Sequence, residues 1–154
     1  MSLMYAGDIA VDAAFKLLMS RSSTRLIDVR TTAETTFVGA PDLLNLPNGK
    51  NLQGQYCLIE WQLFPSMQKN DMFMATLNEM LEIWQEQDQI AKQDRVLLFL
   101  CRSGVRSAYA ADIATQLGCS KSYNLTGGFE GDANEKGHRA TLSGWKFMGL
   151  PWSQ

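Results

Sequence analysis

The chain alternates short apolar runs with longer stretches suited to helices. Four apolar runs predict β-strands, at residues 26–29, 56–59, 96–100 and 122–125. Four further stretches predict helices, at residues 11–19, 32–37, 71–89 and 105–117. Because strands and helices alternate, the pattern predicts an α/β protein with a parallel sheet.

The chain shows no internal boundary between domains. Residues 38–54 contain two prolines and three glycines, which predicts an irregular connection. No Gly/Ser-rich or Pro-rich linker follows it. A length of 154 residues is typical of one domain, so we expect a single domain over residues 4–154.

Composition and charge exclude several classes of protein. The chain is 45% hydrophobic and 19% charged, which is typical of a globular protein. Its net charge of −2 provides no basic field for nucleic acid or for an anionic membrane. The longest apolar run, at residues 96–101, is far shorter than the ~18 residues of a membrane span. We therefore expect neither nucleic acid nor a membrane as a partner.

Cysteine and histidine are few and scattered. Cys57, Cys101 and Cys119 form no pair at metal-ligand spacing, and His138 is the only histidine. We therefore expect no metal and no other cofactor. Free thiols favour a reducing compartment such as the cytoplasm.

The most apolar strand leads directly to the strongest candidate for chemistry. Residues 96–100 are apolar at successive positions, which suits a central strand covered on both faces. In parallel sheets, ligands bind beyond the carboxyl ends of the strands. The loop Cys101–Ser107 lies at that point, and Gly104 within it allows a tight turn into the next helix.

This loop has the features of an anion cradle. Backbone N–H groups at the start of the helix lack intrahelical partners, and Arg102 and Arg106 add two positive charges. A unit charge ~4 Å away is worth ~4 kcal/mol at an effective dielectric near 20. We therefore expect Cys101 to be a reactive thiolate nucleophile. The alternative is a small buried residue at a strand end, beside solvated arginines.

Several segments together resemble the single-domain rhodaneses. The loop Cys101–Ser107 is similar to their active-site loop, and Asp28-Val29-Arg30 to their Asp-Val-Arg strand. The segments 124–129, 144–145 and 149–152 resemble the Gly-Gly turn and the C-terminal end of the family. Residues 37–42 depart from the family, since they lack the histidine that many rhodaneses carry there. The similar segments occur in the family's order and span most of the chain.

The resemblance implies a fold and an activity. The fold would be a five-stranded, mainly parallel sheet with helices on both faces. Cys101 would take a sulfane sulfur from a donor such as thiosulfate, become a persulfide, and pass the sulfur to a thiol, to cyanide or to a protein acceptor. The residues that would bind the substrate surround the cysteine, namely Arg102, Ser103, Gly104, Val105, Arg106 and Ser107.

Two supporting residues are expected on neighbouring strands. The resemblance implies that Asp28 hydrogen-bonds near the active loop, and the alternative is a turn residue. Trp61, together with Phe64, is a candidate for an apolar wall that selects the donor or acceptor. The alternative for these aromatics is packing against the long helix. Arg30 is expected to form a structural ion pair.

The sequence is also compatible with two other functions. The first is a sulfur carrier or persulfide sensor that docks to one partner protein, because its first half-reaction is the same. The second is a cysteine-dependent phosphatase or arsenate reductase. Such enzymes place five residues between the cysteine and the clamping arginine, whereas four separate Cys101 from Arg106. Cys57 and Cys119 are interpreted as buried or helix-end residues, and the alternative is that one of them resolves a persulfide as a disulfide.

Overall fold

The computed structural model describes residues 2–154 of the protein. Strands occur in chain order as β1 (Gly7–Ala10), β2 (Arg25–Asp28), β3 (Ala40–Pro41), β4 (Tyr56–Leu58), β5 (Gln62–Leu63), β6 (Gln68–Lys69), β7 (Leu97–Leu100), β8 (Ser122–Thr126) and β9 (Trp152–Ser153). The helices are α1 (Val11–Ser20), α2 (Thr32–Val38), α3 (Phe73–Asp88) and α4 (Val105–Gln116), with a short 3₁₀ turn at Gln53–Gln55. Within residues 2–154, no helix is both long and apolar enough to cross a bilayer.

Five strands form one parallel sheet with β7 at its centre, in the order β1-β8-β7-β2-β4. Side chains of β7 point alternately to the two faces and are all buried. Leu97 and Phe99 pack with α3 and α4 on one face. Leu98 and Leu100 pack with α1 and with Trp145 on the other. The predicted α/β fold, a five-stranded sheet with helices on both faces, is therefore confirmed.

The predicted elements lie within two residues of those observed. Gly118 follows the end of α4 with a φ of 98°, and its N–H donates to the Thr115 carbonyl at 3.0 Å. The Cys119 N–H donates to the Ala114 carbonyl at the same distance. These bonds satisfy carbonyls at the end of α4.

The edge strand β1 and the two small antiparallel ribbons were not predicted from the pattern of apolar residues. The residues of β1 are alternately half-buried and exposed, so they lack the apolar run of a central strand. The ribbons pair β3 with β9 and β5 with β6, over two residues each. Part of the predicted irregular connection, at β3, is thus held by the C-terminal segment. Strands this short are defined by their partners and not by a local pattern.

A buried arginine ties the end of α3 to the start of β7. Both terminal nitrogens of Arg95 donate to the Asp88 carboxylate at 2.8 Å, and the Arg95 side chain is fully buried. These hydrogen bonds, against a smaller opposing effect of burial, lower the pKa of Asp88 to about 2 from its ordinary 3.8. The carboxylate therefore stabilises the fold above pH 3.8, and this contribution is lost as the pH falls towards about 2.

Asp88→Asn is expected to lower the free energy of unfolding at neutral pH by about 2 kcal/mol. The difference from the wild type should shrink as the pH falls below about 4, because the stabilisation that the charged Asp88 carboxylate gives the wild type is then progressively lost. Urea unfolding at several pH values measures both effects. Asp94→Asn is a matched control, because Asp94 is exposed and close in sequence but outside the ion pairs of the described residues. An equal loss in both variants would contradict the prediction.

Candidate active site

Cys101 lies at the carboxyl end of the central strand, and its side chain is buried. Its Sγ accepts a hydrogen bond from the Gly104 N–H at 3.1 Å and lies 3.1 Å from the Ser107 Oγ. Gly104 has a φ of 108°, which residues with a side chain rarely adopt, and it is the N-cap of α4. The turn at Gly104 therefore directs a backbone donor at the sulfur.

The helix α4 begins beside this sulfur without a side-chain cap. The N–H groups of its first turn, which include those of Val105 and Ser107, thus lack both intrahelical and capping partners. Ser103 is half-buried beside Gly104, and Val105 is exposed. The positive end of the helix dipole favours negative charge at this place. The observed backbone donor to Sγ is the Gly104 N–H, which lies at the predicted start of the helix.

The turn after β8 holds the loop Cys101–Ser107 in place through backbone hydrogen bonds. The Phe129 N–H donates to the Cys101 carbonyl at 2.8 Å, and the Glu130 N–H donates to the Arg102 carbonyl at 2.9 Å. Gly128 has a φ of 61°, and a Cβ atom there would lie 2.5 Å from the Cys101 carbonyl oxygen. Only a glycine lets the two backbone segments approach this closely. The Gly-Gly turn recognised in the sequence is therefore part of the structure that holds Cys101.

The two arginines of the loop have different surroundings. Arg102 is exposed on the rim of the site. Arg106 forms two hydrogen bonds with the Glu34 carboxylate, at 2.6 and 2.8 Å, and both side chains are half-buried. Burial acts to raise the pKa of Glu34, but the bonds from Arg106 and the Thr31 backbone outweigh it and lower that pKa. The bonds with Glu34 raise the pKa of Arg106. Both predicted positive charges are present, and Glu34 balances the charge of Arg106.

Glu34 was not predicted as a site residue, although a local signal for its orientation was present in the sequence. Thr31 is the N-cap of α2 and exchanges hydrogen bonds with Glu34 three residues later, which is a capping box. The capping box orients Glu34 towards α4. The pairing with Arg106, 72 residues away, arises only in the tertiary structure.

In the sulfur transfer that the sequence resemblance implies, Arg106→Ala is expected to slow persulfide formation at Cys101 about tenfold, because a positive charge near the sulfur is lost while Glu34 remains. Its cost in stability should be smaller, about 1 kcal/mol, since the pair is partly exposed. Single-turnover loading with thiosulfate and urea unfolding measure the two effects. Glu34→Gln keeps the charge of Arg106 and should leave loading unchanged or faster. Equal slowing in both variants would mean that the pair acts only through the shape of the loop.

Asp28 and Arg30 form a buried ion pair at the end of β2. The Asp28 carboxylate accepts hydrogen bonds from the Arg30 Nε and Nη2, at 2.9 and 2.7 Å, and from the Tyr56 hydroxyl at 2.8 Å. The guanidinium of Arg30 lies 4.2 Å from the ring centre of Phe129. Burial and the charge of Asp28 raise the pKa of Tyr56. These hydrogen bonds of Asp28 go to Arg30 and Tyr56 and not to the loop Cys101–Ser107. Its link to Cys101 runs through Arg30 and Phe129.

The structure separates Trp61 from Phe64. The Trp61 ring packs edge-on against Phe73 of α3, with 5.0 Å between ring centres, and Lys69 lies over its face. This is the packing against the long helix that sequence analysis gave as its alternative. Phe64, in contrast, lines the open cavity beside Arg102 and Arg106.

That cavity has a volume of about 610 Å³ and one markedly apolar wall. Phe37 and Phe64 in this wall are 75% and 63% exposed. The other apolar lining residues are Ala33, Val38 and Met67, and the polar ones are Thr31, Glu34, Gln62, Arg102, Arg106 and Glu130. The space exceeds what a small anion needs, so it can hold the body of a larger molecule beside the loop.

Cys119 is buried in the same apolar cluster as Cys101, and Cys57 packs against that cluster. Burial raises the pKa of Cys57 to about 11, and it also raises the pKa of Cys119. All three cysteines are free thiols. Over residues 2–154, no three His, Cys, Asp or Glu side chains are grouped so that they could hold a metal ion.

Fold and site together define an α/β protein that presents one cysteine at the start of a helix, beyond the central strand. Residues 12–135 match the family model of the rhodanese-like domain. The chain therefore belongs to the rhodanese-like domain family.

Two relatives and one solved structure resemble nearly the whole chain. The "uncharacterized protein RP600 homolog" of Rickettsia rickettsii is 32% identical over 149 residues, which cover 97% of this chain and 98% of that protein. The same values hold for "uncharacterized protein RP600" of Rickettsia prowazekii. The crystal structure of Rv0390 from M. tuberculosis is 38% identical, with a TM-score of 0.79, over 98% of this chain and 99% of that one.

More distant solved structures support the fold. The polysulfide-sulfur transferase homodimer from Wolinella succinogenes has a TM-score of 0.55 at 19% identity, over 97% of this chain and 78% of that one. The human single-domain sulfurtransferase TSTD1 has a TM-score of 0.50 at 21% identity, over 79% of this chain and 90% of that one. At sequence identities of 19% and 21%, the similarity shows a shared fold and nothing further.

Proposed function

We propose that the protein is a sulfurtransferase that carries a sulfane sulfur on Cys101. One observation carries the proposal: the buried Cys101 Sγ accepts a hydrogen bond from the Gly104 N–H. This contact lies at the uncapped start of α4 in a rhodanese-like domain. A thiolate attacks the outer sulfur of thiosulfate, and the S–S bond of the donor breaks. The electron pair of that bond leaves with sulfite, and Cys101 becomes a persulfide.

The second half-reaction regenerates the enzyme. The thiolate of an acceptor, or cyanide, attacks the outer sulfur of the persulfide. The bond between the two sulfurs of Cys101 breaks, and its electron pair returns to the Cys101 Sγ. The cycle requires no cofactor, and free thiols suit the reducing conditions of a cytoplasm.

The surrounding residues have separate roles in this proposal. The Gly104 N–H and the first turn of α4 stabilise the negative charge that develops on sulfur. Arg102 is exposed on the rim and attracts an anionic donor. Arg106 contributes a positive field and ties α4 to α2 through Glu34. Ser103, Val105 and Ser107 complete the walls of the cradle.

The same geometry gives less support to the alternative function of a cysteine-dependent phosphatase or arsenate reductase. Clamping a phosphoryl group needs an arginine whose N–H donors face the substrate. Two terminal nitrogens of Arg106 are instead bound to the Glu34 carboxylate. The loop also has one residue fewer between Cys101 and Arg106 than the phosphatases that it resembles in outline. A ring of this size favours one added sulfur over a tetrahedral phosphate.

Intact-mass measurement after incubation with thiosulfate tests the proposal. The wild type should gain the mass of one sulfur atom, and a thiol or cyanide should remove it. Cys101→Ser keeps both other cysteines and should gain nothing. An unmodified wild type, or an adduct that persists in Cys101→Ser, would overturn the assignment.

The exposed apolar wall of the cavity favours a protein acceptor as a second candidate. Phe37 and Phe64 are more exposed than a site for cyanide alone requires. In this case the protein is a sulfur carrier, and the loaded form docks to one partner. Transfer to small thiols and cyanide would then be slow, and transfer to the cellular protein would be fast. Rapid turnover with small acceptors would exclude the carrier function.

A further inference from the structure

The cavity beside the cysteine loop contains two charged side chains without a charged partner. Four charged residues line this cavity, namely Glu34, Arg102, Arg106 and Glu130. Glu34 and Arg106 form an ion pair with each other. Within residues 2–154, Arg102 and Glu130 take part in no ion pair. The cavity therefore presents one free positive charge and one free negative charge.

Backbone hydrogen bonds hold Glu130 next to the cysteine loop. Its N–H donates to the Arg102 carbonyl at 2.9 Å, and its carbonyl accepts a hydrogen bond from the Ala140 N–H at 2.7 Å. The preceding residue, Phe129, donates its N–H to the Cys101 carbonyl at 2.8 Å. From this position the half-buried side chain of Glu130 lines the cavity. Its negative charge is therefore held near the approach to Cys101.

The charge of Glu130 is unsuited to an anionic sulfur donor. Thiosulfate is a dianion, which Arg102 attracts and Glu130 repels. In the proposed cycle, sulfite leaves before the acceptor reacts, so the donor and the acceptor are recognised one after the other. A cavity with one free charge of each sign is able to attract an anionic donor in the first step and a cationic acceptor in the second.

We infer that Glu130 is a specificity-determining residue, which selects thiol acceptors that carry a cationic group near the thiol. The inference rests on the proposed function, because it concerns the second half-reaction. The cationic group pairs with the Glu130 carboxylate, so that the acceptor thiol is directed towards the persulfide. This thiol releases its proton to solvent, and its sulfur bonds to the outer sulfur of the persulfide. The bond between the outer sulfur and the Cys101 Sγ breaks, and its electron pair returns to Sγ.

The rest of the cavity fits the body of such an acceptor. Its volume of about 610 Å³ exceeds what a small anion needs. The exposed rings of Phe37 and Phe64 supply apolar surface for the carbon atoms between the cationic group and the thiol. Cyanide has neither a cationic group nor a carbon chain, so it gains nothing from Glu130 or from this wall. The acceptor class is therefore a thiol with a cationic group and a short apolar body.

The first test measures charge selectivity at Cys101 and needs no sulfur transfer. Methanethiosulfonate reagents convert a cysteine to a disulfide and release methanesulfinate, and they are made with ethylammonium, hydroxyethyl or ethylsulfonate groups. Peptide masses identify Cys101 as the modified residue. Glu130→Gln should lower the rate with the cationic reagent, relative to the neutral one, about fivefold, which is the effect of one partly screened charge. The relative rate with the anionic reagent should rise.

Three further variants make this test specific to the cavity. Glu135→Gln removes the same charge from an exposed residue that lines a different hollow, within residues 134–142, so its relative rates should equal those of the wild type. Arg102→Gln removes the opposite charge from the cavity, so it should lower the relative rate with the anionic reagent. Glu130→Lys should change both relative rates in the same directions as Glu130→Gln, and by more. Thermal unfolding checks that each variant is folded.

The second test measures sulfur transfer from the Cys101 persulfide. Aminoethanethiol, mercaptoethanol and mercaptopropionate are the cationic, neutral and anionic acceptors, and comparison of each variant with the wild type cancels their intrinsic reactivities. Glu130→Gln should lower kcat/KM for aminoethanethiol about fivefold relative to mercaptoethanol. A short peptide with one cysteine between two lysines represents a protein acceptor. A larger loss with the peptide than with aminoethanethiol would assign the cationic group to a protein, and a smaller loss to a small molecule.

Two results would overturn the inference. One is that the relative rates in the methanethiosulfonate series do not change in folded Glu130→Gln and Glu130→Lys, or change equally in Glu135→Gln. The other is an unchanged relative kcat/KM for aminoethanethiol in Glu130→Gln. Failure of thiosulfate to load Cys101 would remove the proposed function, whereas the charge selectivity of Glu130 would still be decided by the methanethiosulfonate series. The two proposals are therefore distinguishable.

Discussion

Cys101→Ser is expected to lower the rate of sulfur transfer from thiosulfate by about 10⁴-fold or more, since removing a nucleophile eliminates the covalent route. Serine is close in size to cysteine, so the buried side chain should still fit beside Gly104 and Ser107. Steady-state transfer to cyanide and single-turnover loading should fall together. Thermal unfolding should change little.

The other two cysteines provide the controls for this result. Burial raises the pKa of both Cys57 and Cys119, which disfavours their reactive thiolates. Cys57→Ser and Cys119→Ser should therefore keep the wild-type loading rate. A loss of loading in either variant that is as large as the loss in Cys101→Ser would give that cysteine a place in the mechanism.

Gly128→Ala is expected to destabilise the protein by about 3 kcal/mol and to reduce activity further by displacing the cysteine loop. The added Cβ would lie 2.5 Å from the Cys101 carbonyl and 2.6 Å from the Arg102 carbonyl, so the backbone must move. The hydrogen bond from the Phe129 N–H to Cys101 would be strained by the same movement. Urea unfolding and the transfer assay measure the two effects.

Gly137→Ala separates the clash from backbone strain. Gly137 also has a positive φ, of 79°, but a Cβ there would meet nothing within 4 Å. Its cost should be only about 1 kcal/mol, which comes from the backbone conformation. Activity should remain close to that of the wild type. A comparable loss in both variants would show that φ alone, and not contact with the cysteine loop, makes Gly128 necessary.

Much of the fold was predictable because its signals are local. The run at residues 96–100 is apolar at successive positions, and this is the pattern of a strand buried on both faces. The long helix α3 was predictable from apolar residues at helical spacing, which bury Phe73, Leu77 and Leu81. The strand β1 escaped detection, since a short edge strand that is half exposed has no comparable pattern.

The candidate site was only partly predictable, for a similar reason. Cys101, Gly104 and the two arginines lie within six residues, so the loop was visible as a unit. The partners of these residues come from elsewhere in the chain. Glu34 reaches Arg106 across 72 residues, and Asn124 reaches Ser107 across 17. The positive charge of Arg106 was predictable, but its pairing with Glu34 was not, because the two residues lie far apart in the chain.

Local patterns were enough to predict the alternation of strands and helices, the central position of β7, and a cysteine loop at the carboxyl end of that strand. These features depend on the order of apolar and polar residues, which acts over a few positions. Folding of the whole chain was needed to show that Glu34 balances Arg106, that Gly128 lies against the Cys101 carbonyl, and that Ser107 donates a hydrogen bond to Asn124. Such contacts depend on the packing of distant segments, because hydrogen bonds and close approaches form between neighbours in space.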